Sequence, residues 1–209
     1  MNRPIIIIGN GGHASVLSEI LLEQKRKIIG FTAPQKEENS FSIPYIGQDD
    51  VIFHYGINEI ELVLGIGTVG DTTIRKNLFH LFKNRGYRFS NVIHPKSIIA
   101  PSVKFGEGVQ VMAGAIIQTN TILADNIIVN TGAKIDHNCQ IESHVHIAPG
   151  SVISGGVTIK SSTHIGAGST IIQGIKIGSN CLVGAGTVVV RDVQEHKKVL
   201  GVPAREVNI

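Results

Sequence analysis

The sequence predicts a small α/β domain followed by a long parallel β-helix, and three observations carry that prediction. The first is a six-residue period that runs from Ile93 to Val193 without slipping. Ile93, Ile99, Phe105, Val111, Ile117, Leu123, Val129 and every sixth residue on to Val183 and Val189 are large and apolar. The second is a companion position four residues further on, nearly always small or β-branched, from Ser97, Val103 and Val109 through Ala133 and Cys139 to Val193. Hexapeptide periodicity belongs to β-helices, in which short strands coil and each coil buries its apolar residues against the next. An amphipathic helix would need apolar residues at three-and-four spacing. The third is that residues 1–92 lack the period and alternate apolar runs with helical patterns, as in a parallel α/β sheet of the nucleotide-binding type.

In chain order, Ile5–Ile8 is a continuous apolar run that reads as a buried strand, followed directly by Gly9-Asn10-Gly11-Gly12-His13. Glycines between a strand and a helix let backbone N–H groups approach a phosphate, and the helix N-terminus favours negative charge. The Gly-x-Gly-x-x-Gly pattern is incomplete, because His13-Ala14 follows, so a plain tight turn competes with phosphate binding. Residues 15–24 read as a helix and 28–31 as a second strand. No acidic residue ends that strand, where Thr32-Ala33 stand, which disfavours a nicotinamide dinucleotide. Residues 32–42 are polar, contain Pro34 and read as a loop. Residues 60–66 form a third strand closing on Gly65-Ile66-Gly67. Residues 72–84 carry Ile74, Leu78, Leu81 and Phe82 at helical spacing, and 87–91 read as a last short strand. The join falls at 92–97, where His94-Pro95 opens the hexads. The domain boundaries are thus 1–92, 93–195 and a tail, 196–209.

At 209 residues the chain can bury a sizeable core in two modest domains. Its formal charge of +3 comes without the Lys/Arg stripe or interleaved aromatics that mark nucleic-acid binding. Tryptophan is absent, as suits a narrow interior filled by aliphatic side chains. No stretch approaches the roughly 20 apolar residues of a membrane span. Ile5–Ile8 is too short for a secretory core, so the cytoplasm is the expected compartment. Cys139 and Cys181 both take the small inward position. They are seven hexads apart, which is not a whole number of three-sided coils, so they are expected as separate buried thiols and not as a disulfide.

The histidines are more informative. His137 is the third residue of its hexad, and His146 and His164 are each the sixth, all positions that should point outward and not into the core. Eighteen residues make one three-sided coil, so His146 and His164 should stack. His137 has Thr119 one coil below and Gly155 one coil above, a missing side chain that leaves room for a ligand. An imidazole between Asp136 and Asn138 beside an open groove is placed to act as a general base; a solvated surface histidine is the plainer alternative. The spacings suit stacked coils better than a compact tetrahedral set, and no cysteine faces outward, so no metal site is expected. The tail, with Lys197, Lys198 and Arg205, reads as a solvated terminus with a turn, whose positive charges could meet phosphates if it lies beside a coenzyme groove.

The run Val-Gly-Ala-Gly-Thr-Val-Val-Val-Arg-Asp-Val at 183–193 and Gly-Val-Pro-Ala-Arg at 201–205 resemble the left-handed β-helix, or hexapeptide-repeat, acyltransferases. Together with Ile-Gly-Asn-Gly-Gly-His at 8–13 and Asp136-His137-Asn138-Cys139, the whole chain resembles one branch of them. That branch holds the bacterial nucleotide-amino-sugar N-acetyltransferases of glycan assembly, those of the bacillosamine pathway included, and the sialic acid O-acetyltransferases. The resemblance implies a homotrimer with acetyl-CoA lying between adjacent β-helices, no metal, and a nucleotide sugar held by the amino-terminal domain. It implies that His137 takes the proton from the sugar's 4-amino group. It places His146 on a coenzyme-contacting position, Ala167 and Ala185 on backbone contacts along the coenzyme groove, Gly11, Gly12 and His13 on the sugar-nucleotide loop, and Gly67 on a second loop facing that ligand.

Two departures stand out. Well-known members of the family carry an acidic residue after the catalytic histidine, where this chain has Asn138, with Asp136 the candidate to take over. They also end the second strand in acidic residues that contact the nucleotide, where Thr32-Ala33-Pro34 stand here. The expected activity is acetyl-CoA-dependent N-acetylation of a nucleotide-linked amino sugar in bacterial surface-glycan synthesis. An O-acetyltransferase acting on sialic acid or a relative shares coenzyme and base, and a non-catalytic trimeric scaffold is the alternative of another class.

Overall fold

A computed structural model describes residues 3–70 and 72–207, so the outermost two residues of the predicted segments 1–92 and 196–209 lie outside the described residues. The chain forms two compact units, one running to Thr68 and resuming over Thr73–Val92, the other taking in Val69–Thr72 and everything from Ile93 onward.

In the first unit, β1 (Ile5–Ile8), β2 (Ile28–Thr32), β3 (Tyr45–Gly47) and β4 (Glu61–Leu64) form a parallel sheet in the order β3-β2-β1-β4. α1 (Gly12–Glu23) joins β1 to β2, and α2 (Thr73–Asn84) follows β4. Ile6 and Ile8 pack with Phe79 and Phe82 of α2 on one side of the sheet. α1 lies against Ile7 on the other, so close that a Cβ on Gly65 would stand 2.7 Å from Ala14 Cβ and 3.0 Å from Ile7 Cγ2. The strand order reverses between β1 and β4, and the crevice beyond their carboxyl ends is where open α/β sheets bind ligands.

Between β2 and β4, where the sequence predicts a loop over 32–42 and no element over 43–59, the chain holds β3 and a 3-10 helix, Asp49–His54. Both are too short to impose a period on the sequence. The strand expected at 87–91 reduces to a single bridge, Phe89 to Leu62.

In the second unit each hexad yields a two-residue strand and a turn. Ile135 pairs in parallel with Ile117 and Ile153, Ile141 with Leu123 and Ile159, and Ile147 with Val129 and Ile165. Each partner is eighteen residues away, so three parallel sheets make the three faces of a prism. The hexad isoleucines from Ile117 to Ile177 are essentially inaccessible, whereas Ile93, Ile99 and Phe105, at the start of the coil, are only partly buried.

The turns take left-handed backbone at Asn120, Asn126, Asn138 and Asn180, and at Gly114, Gly132, Gly150 and Gly168. That conformation is costly for residues other than Gly, Asn and Asp, which explains the turn composition. Hydroxyls at the small inward position bridge coils: Thr121 Oγ1 donates to the Asp136 carbonyl (2.9 Å) and Thr163 Oγ1 to that of Gly178 (2.7 Å). The thiols do the same, Cys139 donating to Ser154 O at 3.2 Å and Cys181 to Gln194 O at 2.9 Å. Both are buried and unbridged, and burial raises both thiols above their ordinary range.

The tail departs from the solvated terminus expected. Lys198–Leu200 pairs in parallel with Leu182–Val183, and Arg205–Glu206 folds back antiparallel on it. Among the described residues, no helix is long and apolar enough to cross a membrane.

Candidate functional site

His137 sits at a corner of the prism, between the faces carrying Lys134–Ile135 and Gln140–Ile141. Its backbone is clamped between coils: Gly156 N–H donates to the His137 carbonyl (2.8 Å) and Asn138 N–H to that of Thr119 (3.0 Å). Asp136, His137 and Asn138 are exposed. Gly155 above is occupied differently from expectation. A Cβ there would lie 2.6 Å from both Cε1 and Nε2 of His137. The space left by the missing side chain therefore receives the imidazole itself.

The carboxylate of Asp136 accepts from the backbone N–H of His137 (2.8 Å) and not from the ring. The ring's Nδ1 meets the Asn138 side-chain amide at 3.0 Å. An amide can donate to Nδ1 or, turned over, accept its proton and leave the Nε2 lone pair free. Asn138 thus orients the ring as an acid would, but without the charge.

His146 and His164 stack as the register requires, edge to face with centroids 4.8 Å apart. Both side chains leave the bore of the helix, yet both are buried, each 7% exposed. The outward reading thus holds for direction and fails for accessibility: the rings cover one another, and the Asn130 amide meets His146 Nε2 at 3.2 Å. Gln110 and Ile128 on the same face are also buried. Burial lowers the pKa of His164 below its ordinary 6.5.

Ala167 and Ala185 lie at successive turns of one corner, both exposed, with Gly186 N–H donating to the Ala167 carbonyl (2.8 Å). Following the chain round one coil, His137 marks one corner, Ser143 the next, His146 the face after it, and Pro149 the corner column of Ala167 and Ala185. One chain therefore does not bring His137 together with the alanine column; they occupy different edges of the prism.

In the α/β unit, the chain leaves β1 at Gly9 with φ +97°, a conformation that favours glycine. Gly11 caps α1 with no side chain capping its N-terminus. A Cβ on Gly11 or Gly12 would meet nothing within 4 Å, so both line open space. A Cβ on Gly67 would stand 3.3 Å from His13 Cβ, so the two loops meet at the switch point.

Two features escaped the sequence. A carboxylate does stand at the end of β2, supplied by Asp49, which accepts from the fully buried Thr32 hydroxyl at 2.6 Å; an Asp seventeen residues from its partner gives no local signal. The other is Arg75. It lies on the buried stripe of α2 with Phe79 and Phe82, 3% exposed, and its Nη1 donates to the carbonyls of Leu64 (3.0 Å) and Ile66 (2.7 Å). Its place on an otherwise apolar stripe was the available clue.

Comparison with known proteins matches residues 4–82 to the PglD N-terminal domain family and residues 156–191 to the bacterial transferase hexapeptide family of six repeats. Among solved structures, the acetyltransferase domain of PglB from Neisseria gonorrhoeae, in complex with acetyl coenzyme A, is 31% identical, with 99% of this chain and 100% of that one covered and a TM-score of 0.92. A histidine-to-asparagine variant of perosamine N-acetyltransferase from Caulobacter crescentus, in complex with CoA and GDP-perosamine, is 33% identical over 99% of this chain and 97% of that one, also at 0.92. WeeI from Acinetobacter baumannii, at 22% identity and a TM-score of 0.87, shares the fold, with 99% of this chain and 100% of that one covered. The comparison with curated protein sequences gives no significant match.

Proposed function

The chain belongs to the hexapeptide-repeat sugar acetyltransferases of the left-handed β-helix class, and on that footing we propose that it transfers the acetyl group of acetyl-CoA to the amino group of a nucleotide-linked sugar, in the cytoplasm, for surface-glycan assembly. The observation that carries this reading is His137, an exposed imidazole clamped by its backbone between coils and oriented through Nδ1 by Asn138. The sugar amine attacks the thioester carbonyl, a C–N bond forms as the C–S bond breaks, and CoA leaves as its thiol. Nε2 of His137 takes the proton that the amine must lose. A thioester is already activated, so much of the acceleration comes from holding the two substrates together.

In this reading Gly11, Gly12, His13 and Gly67 hold the nucleotide sugar at the switch point, where α1 presents uncapped N–H groups to its phosphates. Asp49 supports a ribose contact at the end of β2. Ala167 and Ala185 offer backbone to the coenzyme along a smooth corner, with His146 on the face that leads to it. Because His137 and that corner are on different edges of one prism, the working site takes them from neighbouring copies, which supports the homotrimer.

The test is to incubate the protein with acetyl-CoA and UDP- and GDP-linked 4-amino sugars beside free and CMP-linked sialic acids, then treat the product with hydroxylamine. A hydroxylamine-stable amide on an amino-sugar nucleotide is expected. A labile ester on a sialic acid would move the chain to O-transfer, and no product from any acceptor would favour the scaffold.

A further inference from the structure

We infer that Arg75 is a positioning residue for the nucleotide sugar: by holding the carbonyls of Leu64 and Ile66 it aims the Gly67 N–H into the crevice between the β1 and β4 loops. This rests on the sugar-nucleotide reading of that crevice given above.

The outer edge of β4 is bridged by Phe89. There Leu62 N–H donates to the Arg88 carbonyl (2.9 Å) and Ser90 N–H to the Leu62 carbonyl (2.9 Å). Arg75 Nη1 takes the next two outward carbonyls, those of Leu64 and Ile66. The guanidinium thus carries β4's extended geometry past the last residue of the strand. A trans peptide sets its C=O and N–H in opposite directions. Since the Leu64 carbonyl faces Arg75, the Gly65 N–H must face β1, and there it donates to the Ile8 carbonyl at 2.7 Å.

The Ile66 carbonyl faces the same Nη1, so the Gly67 N–H points to the same side, one rung further on. At that level β1 has ended, because Gly9 has turned the chain away into Gly11 and α1. The Gly67 N–H consequently finds no hydrogen-bond partner among the described residues. It is left beside the uncapped N-terminus of α1, where two sets of backbone donors suit one anionic group.

Arg75 adds charge to this geometry. Burial lowers it to about 9, so it remains a cation at neutral pH. Its Nε and Nη2 have no hydrogen-bond partner among the described residues. A buried cation of this kind favours an anion nearby.

The experiment compares wild type with Arg75→Lys and Arg75→Met in steady-state acetyl transfer, varying each substrate separately. Losing an aligned donor to a phosphate should raise KM for the nucleotide sugar about ten- to hundredfold, with KM for acetyl-CoA unchanged. Lys, which can still reach one carbonyl, should recover part of the loss. Gly67→Pro removes the N–H without touching Arg75 and should show the same split; it decides the matter if the Arg75 variants do not fold. Unchanged nucleotide-sugar KM in the folded variants, or in Gly67→Pro, would overturn the inference while leaving the proposed function intact. A wild-type protein that acetylates no nucleotide sugar would remove the premise and the inference with it.

Discussion

At the scale of single residues, the candidate site turns on one imidazole and the glycine one coil above it. His137→Ala should leave the coils intact, since the ring is exposed, and should lower kcat about 10²- to 10⁴-fold, the usual weight of a general base. Gly155→Ala is the sharper probe. Its backbone lies outside the left-handed region, but the new methyl would fall 2.6 Å from Nε2, and the flexible ring must give way before the backbone does. We expect a drop in kcat of roughly 10²-fold from misplacing the base, with unchanged melting; unchanged kinetics would show that the ring position is immaterial. This position was legible in the sequence only through the eighteen-residue register. The register put Gly155 over His137 but could not say that the ring, and not a ligand, takes the space. Nor could it tell that Asp136 spends its carboxylate on backbone N–H, leaving Asn138 with the ring.

His164 gives a pH prediction of definite sign. Burial lowers its pKa in the folded chain below the ordinary 6.5, so below that pH the unfolded chain binds more protons than the folded one. Stability is therefore whole above pH 6.5 and declines as the pH falls from there through the lower folded value. His164→Gln should flatten that acid limb in melting curves recorded from pH 7.5 to 5; an unaltered slope would assign the effect to other groups.

At the scale of elements, the hexad explains why the β-helix was readable and the α/β unit only partly so. A repeat in which each isoleucine stacks on another eighteen residues away restates its register at every coil. Strands such as β3 occur once, are three residues long and lean on their neighbours, so nothing local announces them. The tail escaped for a related reason. Lys198–Leu200 joins the sheet at an offset of sixteen from Leu182, outside the hexad phase.

Inside the array, Ile135→Ser or Ile147→Ser would lose a fully buried side chain and strand a hydroxyl in an aliphatic bore. Truncating such a side chain costs about 2–5 kcal/mol. Thermal unfolding should therefore shift far more than for an exposed change such as Lys134→Ser.

At the scale of the whole molecule, topology puts His137 on one edge of the prism and Ala167 and Ala185 on another. Refolded mixtures can test whether neighbouring copies complete each other. His137→Ala and Ala185→Trp should each be nearly inactive alone. If the chain assembles as the proposed homotrimer, mixed trimers should regain measurable turnover, because some interfaces pair an intact histidine with an intact alanine column. No recovery in demonstrably mixed trimers would place the whole site within a single chain. The family was legible in sequence from the Gly-Gly-His turn, Asp136-His137-Asn138 and the last coils. The carboxylate at the end of β2 was not, because it comes from Asp49 across a hydrogen bond and not from the strand itself.

Acetyl transfer through His137 is tested by release of CoA thiol from acetyl-CoA in the presence of a 4-amino-sugar nucleotide, for wild type and His137→Ala side by side. Rapid release by wild type that requires the amino sugar and collapses in the folded variant is the predicted result. Equal release by both proteins, or none by either with every amino-sugar nucleotide offered, would contradict it.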